Sequence, residues 1–172
     1  TPIIVRGCWD NLNAEATGAT LAAAAPDNFL LDDNTLVLSN GSSFPVAPYL
    51  PSKYAFYSSA PASRLGGTRA CALQGGSCAS VTDMTITYNK RIGEAGVLGG
   101  AQYYLGYNAV PAGSVDFVGV SVHELGHGLG FISLVRLTAN NNGPVGSLPF
   151  DRDDIFARQM VDNRVFPNPQ FT

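Results

Sequence analysis

The sequence predicts an α+β fold in which short strands gather around one helix. Asp83 to Asn89 (DMTITYN) alternates Met84, Ile86 and Tyr88 with Thr85, Thr87 and Asn89, the period of a half-buried strand. Val115, Val118, Val122, Leu125 and Leu129 recur at steps of three and four, which is the apolar stripe of a helix facing a core. The chain has 172 residues, 45% of them hydrophobic, enough for one well-packed domain and too few for two comfortable ones. The expected organisation is a single domain over 1–172, incomplete at its carboxyl end. Residues 1–130 form an amino-terminal subdomain, and 131–172 begin a carboxyl-terminal subdomain or an insertion.

Taken in order, Pro2 to Trp9 (PIIVRGCW) is β-branched with one aromatic and suits a strand entering the core. Asn11 to Ala25 is rich in alanine, the best helix former, and ends at Pro26, so a short helix is expected there. Leu30 to Leu38 and Phe44 to Leu50 flank the turn dipeptide Asn40-Gly41 and are expected as a hairpin or neighbouring strands. Asn40-Gly41-Ser42 also fits a glycosylation acceptor. Tyr54, Phe56 and Tyr57 make an irregular aromatic patch, partly buried. The DMTITYN strand is either an ordinary half-buried strand or an edge along a cleft, where an extended peptide can add by main-chain hydrogen bonds.

Gly93 to Gly106 is a glycine-punctuated loop running into a short aromatic strand. Pro111-Ala112-Gly113 then breaks the chain, and the helix starts with Ser114 as N-cap and Asp116 in its first turn. Gly119, Gly126 and Gly128 allow close backbone approach, but each glycine costs roughly 0.8 to 1 kcal/mol against alanine, so tertiary contacts and a metal must hold this helix. Thr138 to Gly146 (TANNNGPVG) is a loop, Leu148 to Val161 carries a helical pattern through Ile155, Phe156 and Met160, and Asn163 to Thr172 has no period.

Composition narrows the function classes. Charged residues make up 13% and the net charge is −3, which gives no field for nucleic acid and no polybasic segment for a membrane surface. No apolar run reaches the roughly 18 to 20 residues of a bilayer span. The chain opens at Thr1-Pro2 without a methionine or signal-like segment, as a mature or trimmed product does. Three cysteines among Gly-, Pro- and Ser-rich loops point to an oxidising compartment, hence secretion. Cys71 and Cys78 bracket CALQGGSC, whose paired glycines permit a local disulfide. Cys8 is then either a buried free thiol or the partner of a cysteine in polypeptide outside this chain.

The chemistry concentrates in Val120 to Phe131, VSVHELGHGLGF, which holds both histidines of the protein. His123 and His127 frame Glu124 as H-E-x-x-H, and residues four apart lie one helical turn apart on one face. Two imidazoles so placed hold one Zn²⁺ through neutral nitrogens, leaving an open position for water. Glu124 beside it serves as general base, taking a proton from that water and delivering it to a leaving amine. The reaction class is peptide-bond hydrolysis on a polypeptide substrate.

HELGHGLGF resembles the leishmanolysin-like branch of the metzincins, where the pattern is H-E-x-x-H-A-L-G-F and an insertion precedes a third histidine. It is also similar to bacterial secreted metalloproteases in which segments like Ser114-Val115-Asp116-Phe117 and FDRDDIFARQMVD flank the motif. The resemblance is specific over about Asp83 to Phe131 and weak elsewhere. It implies a metzincin-like twisted mixed β-sheet with the active-site helix beneath it, His123 and His127 as zinc ligands, Glu124 as base and Gly130 as the turn. Ser133 stands where the usual metzincin pattern has its next ligand, and no histidine follows His127. Met160 is the candidate for the methionine turn. The third ligand is expected from Asp151, Asp153, Asp154 or Asp162, or from a remaining carboxyl-terminal segment of the same precursor. The same carboxylates also suit helix capping, a structural Ca²⁺ or solvated charge. A non-catalytic zinc-containing binding domain and a zinc amidase acting on a non-peptide bond are the competing readings.

Overall fold

The computed structural model describes residues 2–31, 50–73, 78, 81–140, 143–147 and 153–159. The elements are β1 (Val5–Asp10), β2 (Ala22–Pro26), β3 (Phe29–Leu31), β4 (Ala55–Ser58), α1 (Ser59–Leu65), α2 (Ala70–Leu73), β5 (Met84–Asn89), β6 (Tyr103–Tyr104), β7 (Val115–Asp116), α3 (Phe117–Gly128), β8 (Arg136–Asn140), β9 (Gly143–Ser147) and β10 (Asp153–Asp154). Helices and strands are thus mixed along the chain. The expected hairpin turn at Asn40-Gly41, the glycosylation triplet, Asp151, Met160, Asp162 and the tail lie outside the described residues.

The first sheet has the order β1-β5-β2, with β1 parallel and β2 antiparallel to β5. Its two faces differ in chemistry because side chains alternate along each strand. Met84, Ile86 and Tyr88 face α3, which packs on β2 and β5. Thr85 and Thr87 face the other way, where Thr85 meets the Arg6 guanidinium and the Asp27 carboxylate, and the half-buried free thiol of Cys8 lies 3.2 Å from the Thr87 hydroxyl.

Three expectations fail here for one reason. Of the two readings of β5, the half-buried strand holds and the cleft edge fails, because it is the central strand with both edges already paired. The alanine run expected as a helix is β2, an edge strand, because pairing to β5 outweighs a modest local preference for helix. The amino-terminal strand expected in the core is the other edge, with Ile3, Ile4, Val5 and Trp9 exposed. Strand pairing is non-local, so neighbours in sequence carry no information about which strand lies in the middle.

The second sheet, β10-β4-β3, replaces the irregular aromatic patch expected around Phe56 and Tyr57. Both of these side chains are buried, while Tyr54 is exposed at a positive φ of 59°. Leu30, Leu50, Ala55, Tyr57 and Ala62 form a core with Ile155 against it. The TANNNGPVG stretch, expected as a loop, supplies most of an antiparallel pair, β8 and β9. Of the helical pattern expected over 148–161, the described residues 153–159 form β10 and a 3-10 turn at Ala157–Gln159.

Asp83 joins the parts. Its buried carboxylate accepts from the Ile4 main-chain N–H at 2.8 Å and from the Ser63 hydroxyl at 3.5 Å, and lies 3.7 Å from the Arg69 guanidinium. Arg69 also donates to the carbonyls of Cys78 and Val81. The Cys71–Cys78 disulfide is formed, with the Cα atoms 5.5 Å apart, so it ties the segment bearing these carbonyls to α2.

Helix α3 sits so close to the sheet that a Cβ on Gly128 would press on the Met84 side chain, with Met84 Cβ only 2.9 Å away. Gly128→Ala should therefore destabilise the fold by about 1 to 3 kcal/mol through overpacking, seen as a lower urea midpoint at unchanged m-value.

Candidate functional site

The ends of α3 are built by its own sequence. Asp116, expected inside the first turn, is the N-cap: its carboxylate accepts from the Val118 N–H at 3.1 Å. Ser114, expected in that role, precedes β7. At the other end Gly130 takes φ +104°, its N–H donates to His127 O at 3.0 Å, and the Phe131 N–H donates to Gly126 O at 3.0 Å. These two bonds with a glycine at positive φ are the Schellman arrangement that closes a helix. The turn expected at Gly130 is present.

The rotation of α3 differs from the expected one. Val122 is 63% exposed and Leu129 41%, while Glu124 is only 6% exposed. The face toward the sheet runs through Phe117, Ser121, Glu124 and Gly128. An aromatic group fixes that rotation: the Phe117 ring centroid lies 4.7 Å from Tyr88, 5.6 Å from Tyr103 and 5.9 Å from Trp9. The Tyr88 hydroxyl donates to Ser121 Oγ at 2.9 Å, and Ser121 Oγ donates to Phe117 O at 2.7 Å. The valine period misled because it ignored a glutamate and a serine that the sheet accepts.

His123 and His127 lie on the flank of the helix adjoining Glu124, about 100° and 60° around the axis from it, and His123 shares a cleft with it. Their Nε2 atoms converge to 3.0 Å, with the ring planes nearly perpendicular. The Schellman turn brings the Phe131 carbonyl back over His127, 2.9 Å from Nδ1. A carbonyl can only accept, so Nδ1 carries the proton and the Nε2 lone pair is left for a cation. Two nitrogens at about 2.0 to 2.1 Å from one tetrahedral Zn²⁺ stand about 3.3 Å apart, so the pair needs only a few tenths of an ångström of spread to share an ion. The residues fit the metal.

Among the described residues no third His, Cys, Asp or Glu joins the pair. Asp154, one of the expected third ligands, has other work. Its buried carboxylate accepts from Leu134 N and Ala157 N at 2.7 Å each and from Ser133 Oγ at 3.4 Å, so it ties the chain after α3 to the 3-10 turn. Of the uses expected for it, zinc ligation, helix capping, a structural Ca²⁺ and solvated charge, the bonds to Leu134 N and Ala157 N are of the capping kind. Asp153 pairs with Ala55 through its main chain in β10.

Glu124 opens into a cleft of about 420 Å³ lined by Thr20, Leu21, Ala22, Gly119, Val120 and His123. That volume lies in the range of ligand sites. No side chain among the described residues hydrogen-bonds the Glu124 carboxylate. The wall across from the helix is the start of β2, which sequence reasoning missed: a run of alanines has no apolar-polar alternation to mark a strand. Asn89 N donates to Leu21 O at 2.9 Å. Because bonded positions alternate along an antiparallel ladder, Ala23 and Ala25 face β5, while the main-chain groups of Ala22 and Ala24 point outward along the open edge. The Tyr103 hydroxyl donates to Leu21 O from behind.

Comparison with protein-family models, with curated proteins and with solved structures finds no match for this chain. Among the described residues no helix is long and apolar enough to cross a membrane.

Desolvation by burial raises the Tyr103 phenol above its ordinary 10.0, and the nearby Glu124 charge pushes the same way. Its neutral form is the one favoured by folding, so its contribution is intact below pH 10 and lost as pH rises through the higher folded value. Denaturation midpoints measured from neutral pH upward should fall more steeply above pH 10 in wild type than in Tyr103→Phe. Gly130→Ala should cost about 1 to 3 kcal/mol, since alanine at this φ is strained and its Cβ would lie 2.8 Å from Ser58 Oγ. Thermal denaturation with the His127 imidazole followed by NMR checks both the loss and the displaced Phe131 carbonyl.

Proposed function

We propose that the chain is a zinc-dependent endopeptidase of metzincin-like architecture, acting on extended polypeptides outside the cell. The observation that carries this reading is the pair of Nε2 atoms 3.0 Å apart, one of them oriented by the Phe131 carbonyl, beside a buried carboxylate that opens into a cleft. An ordinary surface pair of histidines has no need of a carbonyl fixing its tautomer, and a buried carboxylate with no ion pair among the described residues, opening into a cleft, is the kind of group found at functional sites. The disulfide supports an oxidising compartment.

When bound, Zn²⁺ would be held by His123 and His127 and would supply Lewis acidity and an acidified water. The third donor in this reading comes from outside the described residues. The chain's own groups do the rest. Ala22 and Ala24 present N–H and C=O groups to a substrate strand laid along β2, which fixes its direction and its height over Glu124. Glu124 accepts the proton of the attacking water and returns it to the departing nitrogen, so one carboxylate serves as base and then acid. Val120, Leu21 and the approaching substrate displace bulk water from around that carboxylate, which strengthens the proton transfers there.

Elemental analysis together with hydrolysis of casein tests the reading. Wild type should bind close to one zinc per chain and cleave; Glu124→Ala should keep the zinc and lose activity by about a thousandfold or more, as expected when a general base and its proton delivery are both removed. His123→Ala and His127→Ala should lose the zinc. Zinc retained without Glu124-dependent cleavage would instead indicate a zinc-holding binding domain, and cleavage confined to a non-peptide amide would indicate an amidase.

A further inference from the structure

The four alanines of β2 (AAAAP) pose a problem that their own side chains do not solve. Sliding this strand by two residues along β5 keeps alanine at two of its four alanine positions, so its small side chains mark the register only weakly. Yet the outward groups of Ala22 and Ala24 must stand at one height relative to Glu124 for a bound peptide to present the same bond each time.

We propose that Asn89 is the positioning residue that fixes this register, and through it the peptide-binding edge; the proposal rests on the peptidase reading above. Asn89 ends β5 and is 0% exposed, although its place in the DMTITYN alternation puts it on the polar side. Its Nδ2 donates to Thr20 O at 2.8 Å and to Asn13 O at 3.3 Å. Its Oδ1 accepts from Leu12 N at 3.2 Å and from Arg91 N at 3.1 Å. A carboxamide has two donor hydrogens and two acceptor lone pairs, and here all four are engaged by main chain. With Asn89 N donating to Leu21 O, one residue grips the 12–21 segment at both ends and delivers its last residues, Thr20 and Leu21, to the cleft wall.

The bonds are specific in a way that packing is not. A two-residue slip of β2 would carry the Thr20 carbonyl away from Nδ2 and leave a buried donor unsatisfied, which costs about 1 to 3 kcal/mol and is absent in only one register. Tyr103 also holds Leu21 O, and Asp27 holds the far end of β2 through Thr85 and the Asp83 carbonyl, while the Ala14–Ala19 bridge and the Leu98 N–H donated to Glu15 O act on the outer turn; Asn89 is the residue that engages both ends of the segment.

Two variants test this, each with two readouts. Asn89→Asp keeps the acceptor and replaces the donor by an oxygen facing two carbonyls. Asn89→Ser leaves room for a water that can take over part of the network, so it keeps the test open if the first variant does not fold. Amide hydrogen exchange at Ala23 and Ala25 should quicken by about tenfold or more while the α3 amides hold their protection. With an extended peptide, KM should rise about fivefold at nearly constant kcat, whereas a short substrate that does not reach Ala24 should show no change. Unchanged exchange in both variants, or a loss confined to kcat, would overturn the assignment. If wild type shows no Glu124-dependent cleavage, the peptidase reading falls separately, and the exchange comparison alone decides whether Asn89 sets the register.

Discussion

The close approach of α3 to the sheet is the constraint on which the site depends. A glycine at position 128 lets the helix come down onto Met84, and the Tyr88 hydroxyl reaches Ser121 from the same strand. Once those contacts are made the helix cannot rotate. Glu124 is then directed to the β2 side, and the two histidines, about 100° and 60° around the axis from it, lie on the adjoining flank. A helix packed through its valines, as its periodicity suggests, would have turned the glutamate away from the cleft. The arrangement buries a charge and exposes Val122 and Leu129, both unfavourable by themselves, and this is the local inconsistency expected where a fold serves a site.

The helix end adds a second coupling. Gly130 closes α3 and, by reversing the chain, places the Phe131 carbonyl on His127 Nδ1. The turn lies against Ser58 and Pro61, so the junction of β4 and α1 presses on the residue that orients an imidazole. Asp154 then holds the departing chain at Leu134 and binds it back toward β4 through β10. Secondary structure far apart in sequence is therefore engaged around two residues of one helix.

Much of the local chemistry was legible beforehand. The H-E-x-x-H spacing, the glycine turn after it, the DMTITYN strand, the short aromatic strand at Tyr103–Tyr104 and the Cys71–Cys78 bridge each rest on residues within a few positions of one another, where periodicity, turn geometry and loop length decide. The misreadings share a different character. The alanine run reads as a helix by composition, the valine stripe reads as a buried face, and the DMTITYN alternation leaves open whether β5 is an edge. Each depends on a partner 20 or more residues away: β2 and β5 on one another, and Glu124 on the cleft wall.

The sequence by itself determined that two imidazoles and a carboxylate would share one helix, because the α-helical repeat alone brings residues i, i+1 and i+4 into that relation. It also determined where that helix stops, since only glycine adopts φ +104° without strain. The tertiary structure decided which side of the helix meets the sheet, which strand borders the cleft and how that strand is held in register. Those outcomes are set by pairing and burial between distant segments, and a run of four alanines carries little local mark of where it must sit.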